Sequence, residues 1–328
     1  MPLSRHLFRA SLSRLAMIAL VCGLLASMGP IPSRAQSTPT AEPLKVVATF
    51  SILADWVQNV GGDAIELTTI VPAGGDTHTF DPSPGQVASI AGADIIFEIG
   101  LGFEPWLDDM INASGAEATR IVVSDGIEVL AFGDANHDDH EHDDEGGHDH
   151  GSEDPHIWGD VQNALNAVSI IEQALIDADP ANADTFATNA TAYSANLEAL
   201  DAHIRAETAT IPEERRKLVT THDTFGYYAH AYGFEITGTA LNSGSTEGGD
   251  PSARDIAELV QVIQDAGVPA IFAENVSNSG LMETIAAEAG VELAPPLHTD
   301  ALGEPGGEAG TYIDMMTVNT ATIVEALS

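Results

Sequence analysis

The chain of 328 residues contains a single cysteine, Cys22. Because Cys22 lies in an apolar run near the N-terminus, the rest of the chain can form neither disulfides nor thiolate bonds to a metal. A transition-metal site in this protein would therefore have to be built from histidine, aspartate and glutamate side chains.

Basic residues are also scarce, since 11 lysines and arginines stand against 50 aspartates and glutamates. Four of the basic residues and none of the acidic ones lie in the first 35 positions, so the remainder carries a formal net charge of −43. This charge disfavours nucleic acid and anionic membrane surfaces as partners and favours cations. A generic acidic surface that aids solubility also explains it, so the charge alone assigns no function.

No apolar run is long enough to cross a bilayer. The run at residues 15–28 has 14 residues, fewer than the roughly 20 that a membrane-spanning helix needs. Three arginines precede it and a short proline-containing segment follows it, which predicts a secretory signal peptide at residues 1–35, cleaved near Ala35. The residues before Cys22 make a poor lipid-attachment signal, so we expect an exported, periplasmic or extracytoplasmic protein with a plain signal peptide.

Short apolar segments that predict strands alternate with longer segments that predict helices. The predicted strands are residues 45–50, 65–71, 94–100, 120–124, 218–221, 235–241, 270–274 and 291–294, and the predicted helices are residues 52–60, 85–91, 105–113, 161–178, 181–209, 225–232, 252–266, 280–289 and 312–327. This alternation predicts an α/β fold with two lobes of parallel sheet and flanking helices, joined by one long rigid helix. The expected divisions are a leader at 36–43, an N-terminal lobe at 44–180, a connecting helix at 181–211 and a C-terminal lobe at 212–328.

One low-complexity segment, residues 134–154, interrupts the N-terminal lobe. Apart from Ala135 it has no apolar side chain, so it cannot pack onto a core and is expected to form a mobile loop. It contains ten acidic residues, three glycines and the histidines His137, His140, His142, His148 and His150. We expect these histidines to act as weak auxiliary metal ligands, and a solvated acidic insertion without function is the alternative.

Four polar residues follow predicted strands or precede a helix in similar positions. His78 comes just after a strand, His156 just before a helix, His222 at the carboxyl end of a strand and Asp300 after the last strand. Ligands of open α/β sheets bind outside the carboxyl ends of the strands, so these side chains are expected to converge. One such residue alone is more simply a capping residue. Together, three imidazoles and one carboxylate suit tetrahedral zinc, with zinc–nitrogen distances of about 2.0–2.1 Å.

Six stretches of the chain carry a family resemblance when they are taken together and in order. They are DTHTFDPSP at 76–84, DPHIW at 154–158, THDTFGY at 221–227, IFAEN at 271–275, TDALG at 299–303 and TYIDMM at 311–316. Over nearly its whole length after the signal peptide, the chain resembles the zinc and manganese solute-binding receptors of bacterial ABC transporters, whose lobes are joined by a rigid helical link. The resemblance implies a monomeric receptor that delivers its metal to an ABC transporter permease. It also implies one metal ion between the lobes, bound by His78, His156, His222 and Asp300.

The resemblance also bears on which metal is bound. Manganese-selective members of the family have glutamate at the position of His222, and an imidazole-rich site suits Zn²⁺ better than Mn²⁺. The histidine-rich loop also resembles the zinc branch. We therefore expect a high-affinity zinc receptor. A manganese or mixed zinc and manganese receptor stays the alternative, because some members with this histidine are thought to accept either metal.

Several neighbours of these four residues have two interpretations. Glu274, at the end of a strand, is predicted to orient a ligating imidazole or to pair with Arg254, and an ordinary strand-end carboxylate is an equal alternative. His298 is either an alternate ligand or exposed to solvent. Trp158 and Phe80 either pack around the site to exclude water or belong to the core.

Two other functions are less well supported by the sequence. Four protein ligands would leave no open position for the water of a zinc hydrolase, and the chain has no His-Glu-x-x-His helix and no nucleophile motif. A surface adhesin is the other alternative, but the chain has neither repeats nor an anchoring tail. We therefore expect a binding protein and not an enzyme.

Overall fold

The computed structural model describes residues 42–132, 153–241, 244–246 and 251–328. The predicted signal peptide at residues 1–35 lies outside the described residues, as do most of the leader and almost all of the acidic loop. The five loop histidines, His137, His140, His142, His148 and His150, lie outside them too. What the sequence predicts for these segments stays a prediction.

The strands of the described residues pair in parallel throughout. They are β1 (Leu44–Phe50), β2 (Ile65–Val71), β3 (Ile95–Glu98), β4 (Thr119–Val122), β5 (Lys217–Thr220), β6 (Glu235–Thr239), β7 (Ala270–Glu274) and β8 (Glu292–Leu297). The first four form one sheet in the order β2-β1-β3-β4, while β5 pairs with β6 and β7 pairs with β8. Because β5 also lies against β7, the last four strands are neighbours in space.

Helices follow most of these strands. They are α1 (Ser51–Gly61), α2 (Pro84–Ser89), α3 (Leu107–Ser114), α4 (Val161–Ala178), α5 (Ala183–Thr208), α6 (Gly226–Tyr232), α7 (Ala253–Ala266), α8 (Gly280–Ala289) and α9 (Tyr312–Leu327). Strand β7 is buried at all five positions, as expected for a parallel strand that is covered on both faces. The predicted α/β fold with parallel sheets and flanking helices is confirmed.

Two of the elements that are shorter than their sequence patterns predict show the physical reason. The strand predicted at residues 94–100 ends at Glu98, because Gly100, Leu101 and Gly102 have φ values of 78°, 54° and 80° and cannot continue an extended strand. The long helix α5 has 26 residues and begins at Ala183, two residues later than predicted. A short 3₁₀ turn, Pro180–Asn182, occupies the start of the predicted helix.

The hydrophobic core runs through both halves of the sequence. One large cluster combines Phe50 of β1 and Phe186 of α5 with residues of the C-terminal half such as Phe272, and a smaller cluster lies around β7, α7 and α8. Helix α5 packs against α1, α4 and α9. Residues Pro43–Ser328 form one compact unit, and the division into two lobes at the predicted boundaries stays a prediction.

None of the described helices is a candidate membrane span. Within the described residues, none combines the length and the apolar character that crossing a bilayer requires.

Candidate metal centre

The four residues that the sequence places near strand and helix ends meet at one point. One nitrogen or oxygen atom each of His78, His156, His222 and Asp300 lies within 4.8 Å of the others. The side chain of His78 is 6% exposed, and the other three are fully buried. The structure therefore brings together all four residues that the sequence analysis singled out as candidate ligands.

Their spacing fits one small cation. The Oδ2 atom of Asp300 lies 3.1 Å from Nε2 of His222 and 3.5 Å from Nε2 of His78, and the Nε2 atoms of His78 and His156 are 3.4 Å apart. A tetrahedral zinc ion with bonds of about 2.0–2.1 Å has ligand atoms about 3.3–3.4 Å from one another. These side chains would need little movement to surround such an ion.

Two buried atoms of the cluster lack a hydrogen-bond partner within the described part of the chain. They are Nε2 of His222 and Oδ2 of Asp300, which lie 3.1 Å apart as an ion pair but without the geometry of a hydrogen bond. Buried polar atoms in folded proteins are nearly always paired, because an unpaired one keeps the cost of its lost hydration. A cation at the centre of the cluster would give both atoms a partner, so the residues present fit a metal ion.

Asp154 orients the ring of His156. Its Oδ1 atom accepts a hydrogen bond from the backbone N–H of His156 at 2.9 Å and lies 2.7 Å from Nδ1 of the ring. When Nδ1 carries the proton that Asp154 accepts, Nε2 presents a lone pair to the centre. The role of Asp154 was not predicted from the motif DPHIW, in which it stands. The available signal was a carboxylate two residues before a candidate ligand.

Glu274, at the end of β7, orients the ring of His222 in the way that Asp154 orients the ring of His156. Its carboxylate accepts hydrogen bonds from the backbone N–H groups of Thr221 and His222, at 2.8 and 2.9 Å, and lies against Nδ1 of the His222 ring. The first of the two predicted roles of Glu274 matches this geometry. Arg254 does not fulfil the other, because it is 83% exposed on α7 and bonds Glu258 at 2.7 Å.

Electrostatics favour positive charge at the centre. Burial acts to lower the pKa of His222, but the carboxylates of Glu274 and Asp300 raise that pKa well above its ordinary value. Burial acts to raise the pKa of Asp300, and the neighbouring histidines, His222 foremost, hold it well below the ordinary range. A buried site that stabilises an imidazolium in this way presents the same negative field to a metal cation.

Aromatic rings close one side of the cluster. The ring of Phe103 packs edge-on against His78 at 5.0 Å and against Trp158 at 4.9 Å. Trp158 is 3% exposed, and its indole N–H donates to the carbonyl of Thr299 at 2.8 Å. Trp158 therefore packs beside the site, as one of its two interpretations predicts. Phe80 contacts Trp106 at 4.9 Å.

A buried carboxyl group supports this aromatic side. Glu104 follows Phe103 and accepts hydrogen bonds from the N–H groups of Ile99 and Gly100 and from the hydroxyl of Thr49, at 2.8, 3.2 and 2.7 Å. These bonds hold the turn in which three successive residues have positive φ. Burial raises the pKa of Glu104 to about 7. No local sequence pattern indicated this role.

His298 is not one of the four clustered residues. It is half-buried, its backbone N–H donates to Asn319 at 2.9 Å, and burial lowers the pKa of its ring. The expectation of a solvent-exposed ring is therefore only partly met.

Comparisons with known proteins agree with this geometry. The profile of the family described as "ZnuA: Zinc-uptake complex component A periplasmic" matches residues 46–326. The manganese-binding lipoprotein MntA of Halalkalibacterium halodurans is 34% identical over 318 residues, which are 96% of this chain and 96% of that protein. The manganese ABC transporter substrate-binding lipoprotein PsaA of Streptococcus pneumoniae is 32% identical over 317 residues, or 95% of this chain and 96% of that protein.

A solved structure shows the same fold. The periplasmic zinc binding protein TroA from Treponema pallidum superposes with a TM-score of 0.75 at 30% identity, and the match covers 87% of this chain and 99% of that one. The family consists of substrate-binding receptors and not of enzymes, which rules out the hydrolase alternative. With its parallel α/β fold and its buried cluster of histidines and aspartate, the chain belongs to the ZnuA family of extracytoplasmic metal-binding receptors of ABC transporters.

Proposed function

We propose that this receptor binds one Zn²⁺ ion through Nε2 of His78, His156 and His222 and through Oδ2 of Asp300, and delivers it to the permease of its ABC transporter. The observation that carries the proposal is the buried set of three imidazole nitrogens and one carboxylate oxygen at tetrahedral spacing. Zinc accepts this mixture of ligands in a closed four-coordinate site.

Two carboxylates prepare the site for zinc before it arrives. Asp154 and Glu274 lie against the Nδ1 atoms of His156 and His222, so the opposite ring nitrogens face the centre. Rings held in this orientation lose little further rotational freedom on binding, which favours high affinity. Because the four side chains are buried, water molecules compete poorly with them as ligands for the ion.

Manganese is the second candidate, and the names of two relatives favour it. MntA and PsaA are described as manganese proteins, whereas TroA is described as a zinc protein. The ligand set supports zinc here, because nitrogen-rich sites bind Zn²⁺ more tightly than Mn²⁺, which stands at the weak end of the divalent series. His222 is the residue on which this preference depends most, because the family resemblance implies glutamate at this position in manganese-selective members, whereas this chain supplies a nitrogen ligand there.

Two further expectations belong to the same proposal. After removal of the signal peptide at residues 1–35, the receptor acts as a monomer in the extracytoplasmic space. The acidic loop at residues 134–154 collects additional zinc weakly through its five histidines.

Metal analysis tests the proposal. Full-length protein purified without added metal is analysed for its metal content, and zinc and manganese are then titrated in competition. We expect one tightly bound zinc ion in the wild type and its loss in His156→Ala. His230→Ala, which removes an exposed histidine of α6, serves as the matched control and should keep the ion. A preference for manganese, or tight zinc binding by His156→Ala, would overturn the assignment.

A further inference from the structure

A buried threonine contacts the carboxylate of the cluster. The hydroxyl of Thr224 donates to Oδ1 of Asp300 at 3.2 Å, although the two residues are 76 positions apart in the sequence. Thr224 is 4% exposed, and its backbone N–H donates to the carbonyl of His222 at 3.1 Å. One tight turn therefore carries both a candidate ligand and a hydrogen-bond donor to another candidate ligand.

The two oxygens of Asp300 consequently differ. Oδ2 lies 3.1 Å from Nε2 of His222 and 3.5 Å from Nε2 of His78, and it has no hydrogen-bond partner in the described structure. Oδ1 is occupied by the hydroxyl of Thr224 and lies 3.8 Å from Nε2 of His156. Oδ2 is thus free to bind a metal, whereas Oδ1 already has a partner.

This difference affects how many bonds a metal can form. A carboxylate that binds through one oxygen completes a set of four ligands, the number that zinc prefers in closed sites. A carboxylate that binds through both oxygens adds a fifth ligand, which suits ions such as Mn²⁺ that prefer more oxygen ligands. A hydrogen bond to Oδ1 withdraws electron density from it and restrains rotation of the carboxylate, so it opposes binding through both oxygens.

We propose that Thr224 is a selectivity-determining residue, whose hydroxyl keeps Asp300 in one-oxygen binding and thereby favours zinc over manganese. This inference rests on the proposed function, because it requires that the cluster bind a divalent metal. Thr224 acts through Asp300 and does not itself bind the ion.

The test compares three variants with the wild type. Thr224→Val keeps the shape of the side chain and removes the hydroxyl, while Thr224→Ser keeps the hydroxyl. Thr320→Val is the matched control, because its buried hydroxyl contacts Tyr228 at 3.1 Å and no residue of the cluster. Zinc and manganese affinities are measured by competition, and visible absorption of the Co²⁺-loaded protein reports the number of metal ligands.

For Thr224→Val we expect the ratio of zinc to manganese affinity to fall by roughly tenfold, the smaller of the effects that are typical of residues which orient metal ligands. The intense Co²⁺ absorption of a four-coordinate site should weaken in the same variant, since a fifth ligand lowers it. Thr224→Ser should restore both properties, and Thr320→Val should leave both unchanged.

Two results would contradict these proposals, and they can be told apart. A folded Thr224→Val protein with an unchanged affinity ratio and an unchanged Co²⁺ spectrum would show that Asp300 merely satisfies a buried hydroxyl, and the inference would fail. If Thr224→Val does not fold, Thr224→Ala is measured by the same criteria. A wild-type protein that binds no transition metal would refute the proposed function itself, which is a different result from an unchanged ratio.

Discussion

Replacement of Glu274 by glutamine is expected to weaken metal binding without removing any ligand. Glu274 accepts four hydrogen bonds, from two backbone N–H groups, from Nδ1 of His222 and from the hydroxyl of Thr299. Glutamine has the same shape but offers only one acceptor oxygen. If that oxygen keeps the two backbone N–H groups, the amide NH₂ faces Nδ1 of His222.

This change reverses the tautomer of the His222 ring. An NH₂ group donates, so Nδ1 must become the acceptor and the ring proton must move to Nε2, where it points at the metal position. Loss of a partner that orients a ligating histidine typically lowers metal affinity by about 10–100-fold, or roughly 1.4–2.7 kcal/mol. We expect Glu274→Gln to fall in this range for zinc.

Competition with a coloured zinc chelator measures the effect, and circular dichroism establishes that the variant is folded. Glu258→Gln is the matched control, because the Glu258 side chain is 60% exposed on α7 and bonds Arg254, which is not one of the four clustered residues. That control should bind zinc like the wild type. A folded Glu274→Gln protein with wild-type zinc affinity would refute the reasoning from the tautomer.

Three other predictions follow from the site and its surroundings. His222→Glu should move the metal preference from zinc toward manganese in competition titrations, because an oxygen ligand replaces a nitrogen ligand. Deletion of residues 137–150 should remove weak zinc sites and keep the tight one in calorimetry, because the sequence of this segment predicts no packed scaffold that would hold its histidines in place for a metal. Burial raises the pKa of Glu104 from 4.5 to about 7, so the folded state holds an extra proton between these values and loses stability as pH rises through them. Glu104→Gln should remove this loss, which is about 3 kcal/mol at most, in urea unfolding at pH 5 and pH 8.

Each of these predictions has a contrary outcome. An unchanged zinc to manganese ratio in His222→Glu would mean that residue 222 does not set the preference. Loss of the tight site on loop deletion would mean that ligands were assigned to the wrong residues. An equal pH dependence of unfolding in the wild type and in Glu104→Gln would place the extra proton on another group.

Local patterns in the sequence were sufficient for the type and order of the elements. The predicted bounds of β2, α4, β7, α8 and α9 agree with the structure, because each is a long or strongly apolar segment with clear end signals. The strand predicted to reach residue 100 ends at Glu98. Just beyond it, two glycines and Leu101 adopt positive φ and turn the chain. A run of apolar residues does not reveal such a turn.

The sequence also determined which four side chains meet. Ligands bind outside the carboxyl ends of parallel strands, and on that basis the sequence predicted that His78, His222 and Asp300 converge. The strands that precede them, β2, β5 and β8, lie in three different sheets, so their meeting also depends on how these sheets pack. The motif around His156 placed it just before a helix, and the structure adds it to the same point.

Only the tertiary structure decided what surrounds them. Glu274 meets His222 from 52 residues away, and Thr224 meets Asp300 from 76 residues away. A hydrogen bond forms only within a few tenths of an ångström and a limited range of angles, and such precision between distant loops depends on the packing of the whole core. For this protein, the sequence determined the candidate ligands, and the folded structure determined how those ligands are oriented and which oxygen of Asp300 is free to bind a metal.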